Sequence, residues 1–293
     1  MSQALSTSFV VLPETDPPFP SILEFLTKRF DMISPEVWYE RIASGKVMDT
    51  HGKPVSFDTA YIPRTRLYYY REVSEEPLIP FDEKILYKDD HLLVADKPHF
   101  LPVIPAGPYV NECLLNRLKK KTGIDSMTPL HRIDKETAGI VMFSCNPETR
   151  GQYQALFINR AVQKEYEAVT HCPSNVIKQE WQIESRIVRG EPFFRMKIVN
   201  GTINARTKIT LLEIVGEKAL FRVIPLTGKK HQVRLHLCAI GCPIVNDRKY
   251  PELLPEQKID FSKTLLLLAK RIVFKDPIAG TLCEFESEGK LDW

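Results

Sequence analysis

The spacing of apolar residues changes character once along the chain. From Ser21 to Met48 they recur at helical intervals: Ile22, Phe25, Leu26 and Phe30, then Val37, Trp38 and Ile42. That spacing predicts two short helices. Ser34, Pro35 and Glu36 give the second helix an N-cap, a first-turn proline and an acid at the positive end of its dipole, and Gly45 gives it a stop. "KVMDTHGKPVSFDTAYI" then predicts short strands around an "HGK" turn. Residues 21–72 thus read as a compact helix–helix–hairpin unit. The proline-marked segment 1–20 ahead of it is expected to be irregular, and the Pro/Glu-rich stretch 73–84 behind it to be a linker.

Beyond the linker, in 85–293, the pattern becomes many short strands, several alternating apolar with polar residues. They are "KILYKDD", "LLVADKP", "AGIVMFSC", "KEYEAVT", "QEWQIESRIV", "FFRMKIV", "ARTKITLLEIV", "KALFRVIPL", "LLLLAKRIVFKD" and "TLCEFESE". Helical patterns are fewer: "NECLLNRLKKKTG", "PETRGQYQALFINRAV" and "HQVRLHLCAIG". A strand-rich order without strict strand–helix alternation predicts an α+β fold around a mostly antiparallel sheet.

Composition narrows the class only a little. Hydrophobic content of 43% and charged content of 26% are ordinary for a globular protein, and the net charge of +3 is too mild to name a partner. Six cysteines without a CxxC pair fit reduced, mostly buried thiols in the cytoplasm. Cys238 and Cys242 come nearest to metal-ligand spacing, but no second His/Cys cluster follows, so packing is the better reading and no metal is expected. The first residues lack a basic stretch before a long apolar run, and nothing approaches the roughly 20 apolar residues of a membrane span. With no coiled-coil pattern either, a cytoplasmic monomer that does not enter a membrane is expected.

Charge is more informative where it clusters. "HRIDKETAGIVMF" sets His131, Arg132 and Asp134 ahead of an apolar strand, at a sheet end where sites often form. Taken singly, an aspartate there most often caps a turn. "PLTGKKHQVRLHLCAIGCPIV" carries Lys229, Lys230, His231, Gln232, Arg234 and His236 with no acid among them. On a helix Lys230 and Arg234 share one face. This stretch is either a solvated basic face or a binding surface. Two further basic clusters run from Arg117 to Lys121 and from Arg64 to Arg71. The latter interleaves arginines with Tyr68, Tyr69 and Tyr70, as an RNA-stacking surface does, or as a strand with one buried face does.

Together these stretches resemble the RluA-type pseudouridine synthases, which isomerise uridine in RNA. "HRIDKETAG" is similar to the family's HRLDxxTSG, "VQKEYEAV" to its KxYxA, and "PLTGKKHQVRLHL" to its xxTGRxHQIRxHL. "YKDDHLLVADKPHFLPVIP", "CPIVNDRKY" and "RIVFKDPIAGTLCEFES" resemble the flanking motifs, in the family's order over roughly 82–287. The chain departs from the pattern at Ala138 (usually Ser), Lys229 (usually Arg), Asn246 (usually Gly) and Leu268 (commonly His). Residues 21–72 resemble an S4-like RNA-binding domain, without its usual asparagine.

The resemblance implies a pseudouridine synthase catalytic fold, with a central mixed sheet flanked by helices and loops and a small α/β unit before it. It places a nucleophile at Asp134, an active-site tyrosine at Tyr166, and at Arg234 the arginine that pairs with the aspartate. Arg132 fills the gap left by a flipped base, and His131, Lys229, Lys230, His231 and Gln232 join it toward RNA. The implied partner is a ribosomal or transfer RNA, and the implied chemistry needs no cofactor. Two rivals stay open: a catalytically silent RNA-binding or ribosome-assembly protein on the same fold, and a hydrolase pairing Asp134 with a second acid such as Asp247.

Overall fold

The computed structural model describes residues 2–4, 7–73, 75–171 and 179–293. The chain divides into two compact units, residues 1–77 with 105–111, and residues 78–104 with 112–293.

The first unit contains β1 (Ser2–Gln3), β2 (Ser8–Val11), α1 (Ile22–Arg29), α2 (Pro35–Ala43), β3 (Val47–Met48), β4 (Arg66–Tyr69) and β5 (Glu72–Val73). Ser21 caps α1 by accepting from the Glu24 amide at 3.1 Å, and Pro35 opens α2. Their apolar stripes meet β4 in one core of Ile22, Phe25, Leu26, Trp38, Ile42, Leu67 and Tyr69. Two expectations need correction. The first 20 residues are not irregular throughout, because "SFVV" alternates and pairs as β2 with β4. The strands around "HGK" shrink to β3 and a bridge from Met48 to Pro54, because the Asp49 carboxylate accepts from the His51 and Lys53 amides and closes the turn itself. In β4 Leu67 and Tyr69 face the core, so the tyrosine run is a strand with one buried face, and Tyr68 lies on the other beside Phe9.

The second unit is built on β6 (Lys84–Lys88), β7 (Leu92–Lys97), α3 (Leu114–Thr122), β8 (Thr128–Pro129), β9 (Ala138–Ser144), α4 (Arg150–Ile158), β10 (Gln163–His171), β11 (Glu180–Arg189), β12 (Met196–Val199), β13 (Ala205–Val215), β14 (Lys218–Pro225), α5 (Gln232–Ala239), β15 (Leu267–Lys275) and β16 (Leu282–Glu286). These form an 11-stranded sheet in the order β12-β11-β13-β14-β10-β15-β9-β7-β6, with β16 on β15 and β8 on β9. Only the β15–β9 pair is parallel. The fold is α+β, as the strand-rich pattern predicts. β9 is buried along its whole length, which is why "AGIVMFS" is apolar without alternation.

One row across this sheet positions the site. Tyr166 on β10 pairs with Ala269 on β15, Ala269 with Gly139 on β9, and Gly139 with Lys97 on β7. Gly139 has φ +112, and a Cβ there would lie 2.3 Å from the Ala269 carbonyl oxygen. The motif glycine is therefore required by a close approach of two backbones.

Candidate active site

Asp134 lies in the loop between β8 and β9. Its backbone carbonyl closes a turn by accepting from the Thr137 amide at 3.2 Å, which leaves the carboxylate for other partners. Oδ2 accepts from Arg234 Nη1 at 3.0 Å, and Oδ1 lies 3.7 Å from His231 Nε2. Asp134 is thus not a turn-capping acid. Its side chain is 23% exposed and that of Arg234 2%, so the acid can meet a substrate while its partner cannot.

Arg234 is fixed from behind. Its Nε and Nη2 donate to the two oxygens of Asp247 at 2.7 and 2.6 Å, the fork-on-fork geometry that orients a guanidinium most strictly. Its guanidinium also lies 5.3 Å from the centre of the Tyr250 ring. Burial opposes the arginine's charge, but the bonds and charge of Asp247, then Asp134 and Glu136, push its pKa above the ordinary value. Asp247 also accepts from the Lys249 and Tyr250 amides, so the rival reading that makes it a second catalytic acid finds it occupied.

The loop carrying Asp134 is held from two sides. Lys97 is 1% exposed, and its Nζ donates to the carbonyls of Pro98, Leu101 and Lys135, the last adjoining Asp134. Burial lowers its pKa to about 7, against the pull of Glu136 and Asp134. Glu136 accepts from Lys249 Nζ at 3.1 Å. Burial works against its charge, but Lys249, Arg234 and Lys135 outweigh burial and hold it at about 2.

Tyr166 sits where β10 shifts register against β15, between Glu165 and Tyr166, a bulge that re-aims its side chain. Burial first, and the Asp134 charge second, raise its pKa far above the phenol range, so the hydroxyl stays protonated. It lines a small pocket with His131, Ile140, Lys164, Ala269 and Ile272. His131 stacks on Phe157 at 5.0 Å, and its Nε2 accepts from the Met142 amide at 3.1 Å. Burial and the nearby Lys164 charge lower its pKa to about 3, which keeps the imidazole neutral and able to accept.

The structure joins Asp134 to Arg234, sets Tyr166 within reach of the Asp134 charge, and sorts the residues expected to face RNA. Arg132, Lys229 and Lys230 are exposed. His231 and Gln232 need correction, since each is buried and bonded within the protein, whereas His131 is half-buried and lines the Tyr166 pocket. His231 hydrogen-bonds the Tyr250 hydroxyl at 2.7 Å, and burial lowers its pKa to about 4. Gln232 accepts from Thr227 and the Lys229 amide and donates to Arg206 and Thr207, which uses its amide fully. Nor do Lys230 and Arg234 share a helical face: α5 starts only at Gln232, after His231 turns the chain at φ 57. The basic cluster at 117–121 is partly neutralised, because Arg117 pairs with Glu112 and Glu83, and Lys121 with Glu83.

Lys97, Glu136, Lys249 and Tyr250 were not singled out from the sequence. They lie in the matched stretches "VADKP", "HRIDKETAG" and "CPIVNDRKY", which mark positions without stating roles for these four. Three departures are accounted for by their place in the fold. Asn246 has φ 63, a conformation that suits glycine and that asparagine tolerates best among other residues. Ala138 and Leu268 are register partners across β9 and β15, so a polar residue on each side has been replaced by an apolar one at the same point.

Comparison with known proteins agrees with this geometry. The family described as RNA pseudouridylate synthase matches residues 91–239, from the strand of Lys97 to the end of the helix of Arg234. An RNA pseudouridine synthase of Bacillus subtilis is 32% identical over 216 residues, covering 71% of this chain and 69% of that one. The dual-specificity RNA pseudouridine synthase RluA of Haemophilus influenzae is 29% identical, over 72% of this chain and 95% of its own. The solved structure of human RNA pseudouridylate synthase domain containing 4 superposes with a TM-score of 0.54 at 27% identity, covering 71% of this chain and 88% of that one. A match across half of the chain, spanning Asp134, Tyr166 and Arg234, makes the chain an RluA-type member of the RNA pseudouridylate synthase family.

Proposed function

We propose that the chain converts uridine in a folded ribosomal or transfer RNA to pseudouridine, with Asp134 as nucleophile. The reaction breaks the N1–C1′ bond, forms C5–C1′, removes the proton from C5 and leaves one on N1, so it is balanced without an electron donor or acceptor. The observation that carries the reading is the Asp134–Arg234–Asp247 arrangement. A partly exposed carboxylate is aimed by a buried arginine that is itself clamped, so the acid stays oriented when a base enters. In this reading the uridine leaves its stack to reach Asp134, at a cost of a few kcal/mol. Tyr166, kept neutral, packs against the base. Arg132 occupies the vacated space, and Lys229 and Lys230 take phosphates, which position the RNA without reading its sequence.

Residues 21–72 add RNA-binding surface in the manner of an S4 domain, and the protein works as a cytoplasmic monomer. The described cysteines are free, and among the described residues no helix is long and apolar enough to cross a membrane. Cys172 lies outside the described residues.

The test uses RNA from cells lacking the protein, incubated with the purified chain and analysed for pseudouridine by carbodiimide-dependent primer extension. The parent protein modifies discrete positions. Asp134→Asn abolishes modification while its RNA affinity stays within a few-fold. Residual turnover by that variant removes Asp134 from the nucleophile's role, and an inactive parent that still binds RNA favours the silent RNA-binding reading.

A further inference from the structure

β11 and β12 form a hairpin at the end of the sheet, and its tip is built into the site's surroundings. The tip closes on itself through Gly190 N to the Arg195 carbonyl at 3.0 Å and Arg195 N to the Pro192 carbonyl at 2.8 Å. The Met196 amide donates to the Tyr250 hydroxyl at 2.7 Å. The Arg195 guanidinium lies 5.1 Å from the Tyr250 ring centre, and its Nη2 donates to the Pro251 carbonyl. Tyr250 in turn touches His231 and Arg234. One aromatic ring therefore separates the hairpin tip from the arginine that aims Asp134.

Two side chains on this hairpin have no structural employment. Ile187 packs with Leu235 and Tyr250, and Arg189, two residues on, projects from the same face of the strand. Arg189 is exposed and makes no ion pair among the described residues. Burial, and then the charges of Lys249, Arg189 and Arg132, lower the Lys230 pKa against the pull of Asp134, so Arg189 stands within electrostatic reach of that ammonium. Phe193, at the tip, is 72% exposed and touches only the edge of Phe194 at 5.7 Å. A braced turn presenting a bare ring on the hairpin that carries the exposed Arg189 meets the requirement for holding unpaired nucleotides, rings for bases and cations for phosphates.

We propose that the β11–β12 hairpin is an RNA arm, on which Arg189 takes a backbone phosphate and Phe193 stacks on an unpaired base beside the target uridine. The inference rests on the reading that Asp134 receives that uridine. It adds a preference: the substrate segment is single-stranded on the side the hairpin covers.

The test compares two fluorescent probes, an RNA stem-loop with a uridine-rich loop and the same stem as an uninterrupted duplex, by anisotropy. Phe193→Ala weakens the stem-loop about tenfold, the size of one lost base–aromatic stack, and leaves the duplex within about twofold. Arg189→Gln weakens both probes alike and reduces the salt dependence by about one counterion. Phe193→Trp shows emission quenched by the stem-loop and not by the duplex. Both side chains are exposed, so unchanged thermal melts of the three variants serve as the folding control. Stem-loop affinity of Phe193→Ala within about twofold of the parent, with no quenching of the Trp variant, overturns the arm. So does loss of self-association in Phe193→Ala, which reassigns the ring to a protein contact. The Phe193 effect is also read in the Asp134→Asn background, where it persists if the arm is right. Failure of the nucleophile shows instead as pseudouridine formed by Asp134→Asn.

Discussion

Asp247→Asn isolates the brace behind the active site. The carboxylate is wholly buried and accepts four hydrogen bonds: Arg234 Nε on Oδ2, and Arg234 Nη2 with the Lys249 and Tyr250 amides on Oδ1. Asparagine keeps the shape but turns one oxygen into an NH2 group, which in either orientation faces an Arg234 donor. The variant therefore loses at least one charge-assisted bond, worth about 1.5–3 kcal/mol, and leaves the guanidinium less compensated in a buried place. A loss of about 3 kcal/mol is expected, and for a unit of this size it lowers the melting temperature by about 6–12 °C. The second consequence is functional. Nη1 points at Asp134 only because the other two nitrogens are pinned, and misplacement by about 1 Å costs up to about 100-fold in rate. Calorimetry of the full chain reads the first effect. Single-turnover pseudouridine formation at saturating protein reads the second, with RNA affinity expected within about twofold because Asp247 never meets solvent. A variant that melts within about 2 °C of the parent and turns over within about threefold refutes the brace.

Gly139→Ala places a Cβ against the Ala269 backbone at a φ of +112, so strain and overpacking together cost about 2–6 kcal/mol, seen as a lower urea midpoint at unchanged m. For pH, His231 and His236 have folded-state pKa values near 4, and His131 near 3, all below the unfolded value of about 6.5. Unfolding then takes up protons, so stability is full above about pH 6.5 and falls as pH drops toward about 4, at up to about 1.4 kcal/mol per pH unit per histidine. Urea titrations across that window check the sign, and a flat profile contradicts the buried neutral imidazoles. Arg132→Ala slows turnover of a uridine inside a stem more than one in a loop, because only the stem leaves a gap to fill. Equal effects on the two substrates would remove the wedge role.

How far the site could be read in advance follows from which partners a motif contains. Asp134, Tyr166 and Arg234 are legible as candidates because each lies in its own recognisable stretch, and the sheet around them follows from apolar patterning: "AGIVMFS" is continuous because β9 is buried on both faces, and "ARTKI" alternates because the start of β13 is buried on one face only. What patterning cannot express is the destination of a polar side chain. "GKKHQVR" reads as one basic face, yet the left-handed turn at His231 splits it into two exposed lysines and a buried set of His231, Gln232 and Arg234. Lys97 was hidden for the complementary reason. A lysine closing a buried strand looks like a solvated end until the sheet row is known, and only then do three carbonyls from the two loops beside it converge on its ammonium. The same row explains the Asp134 loop. With Gly139 held against Ala269, the four residues between Asp134 and Gly139 leave the aspartate little freedom except toward Arg234, so the geometry of the acid is set by backbone contact in the sheet before any charge acts on it.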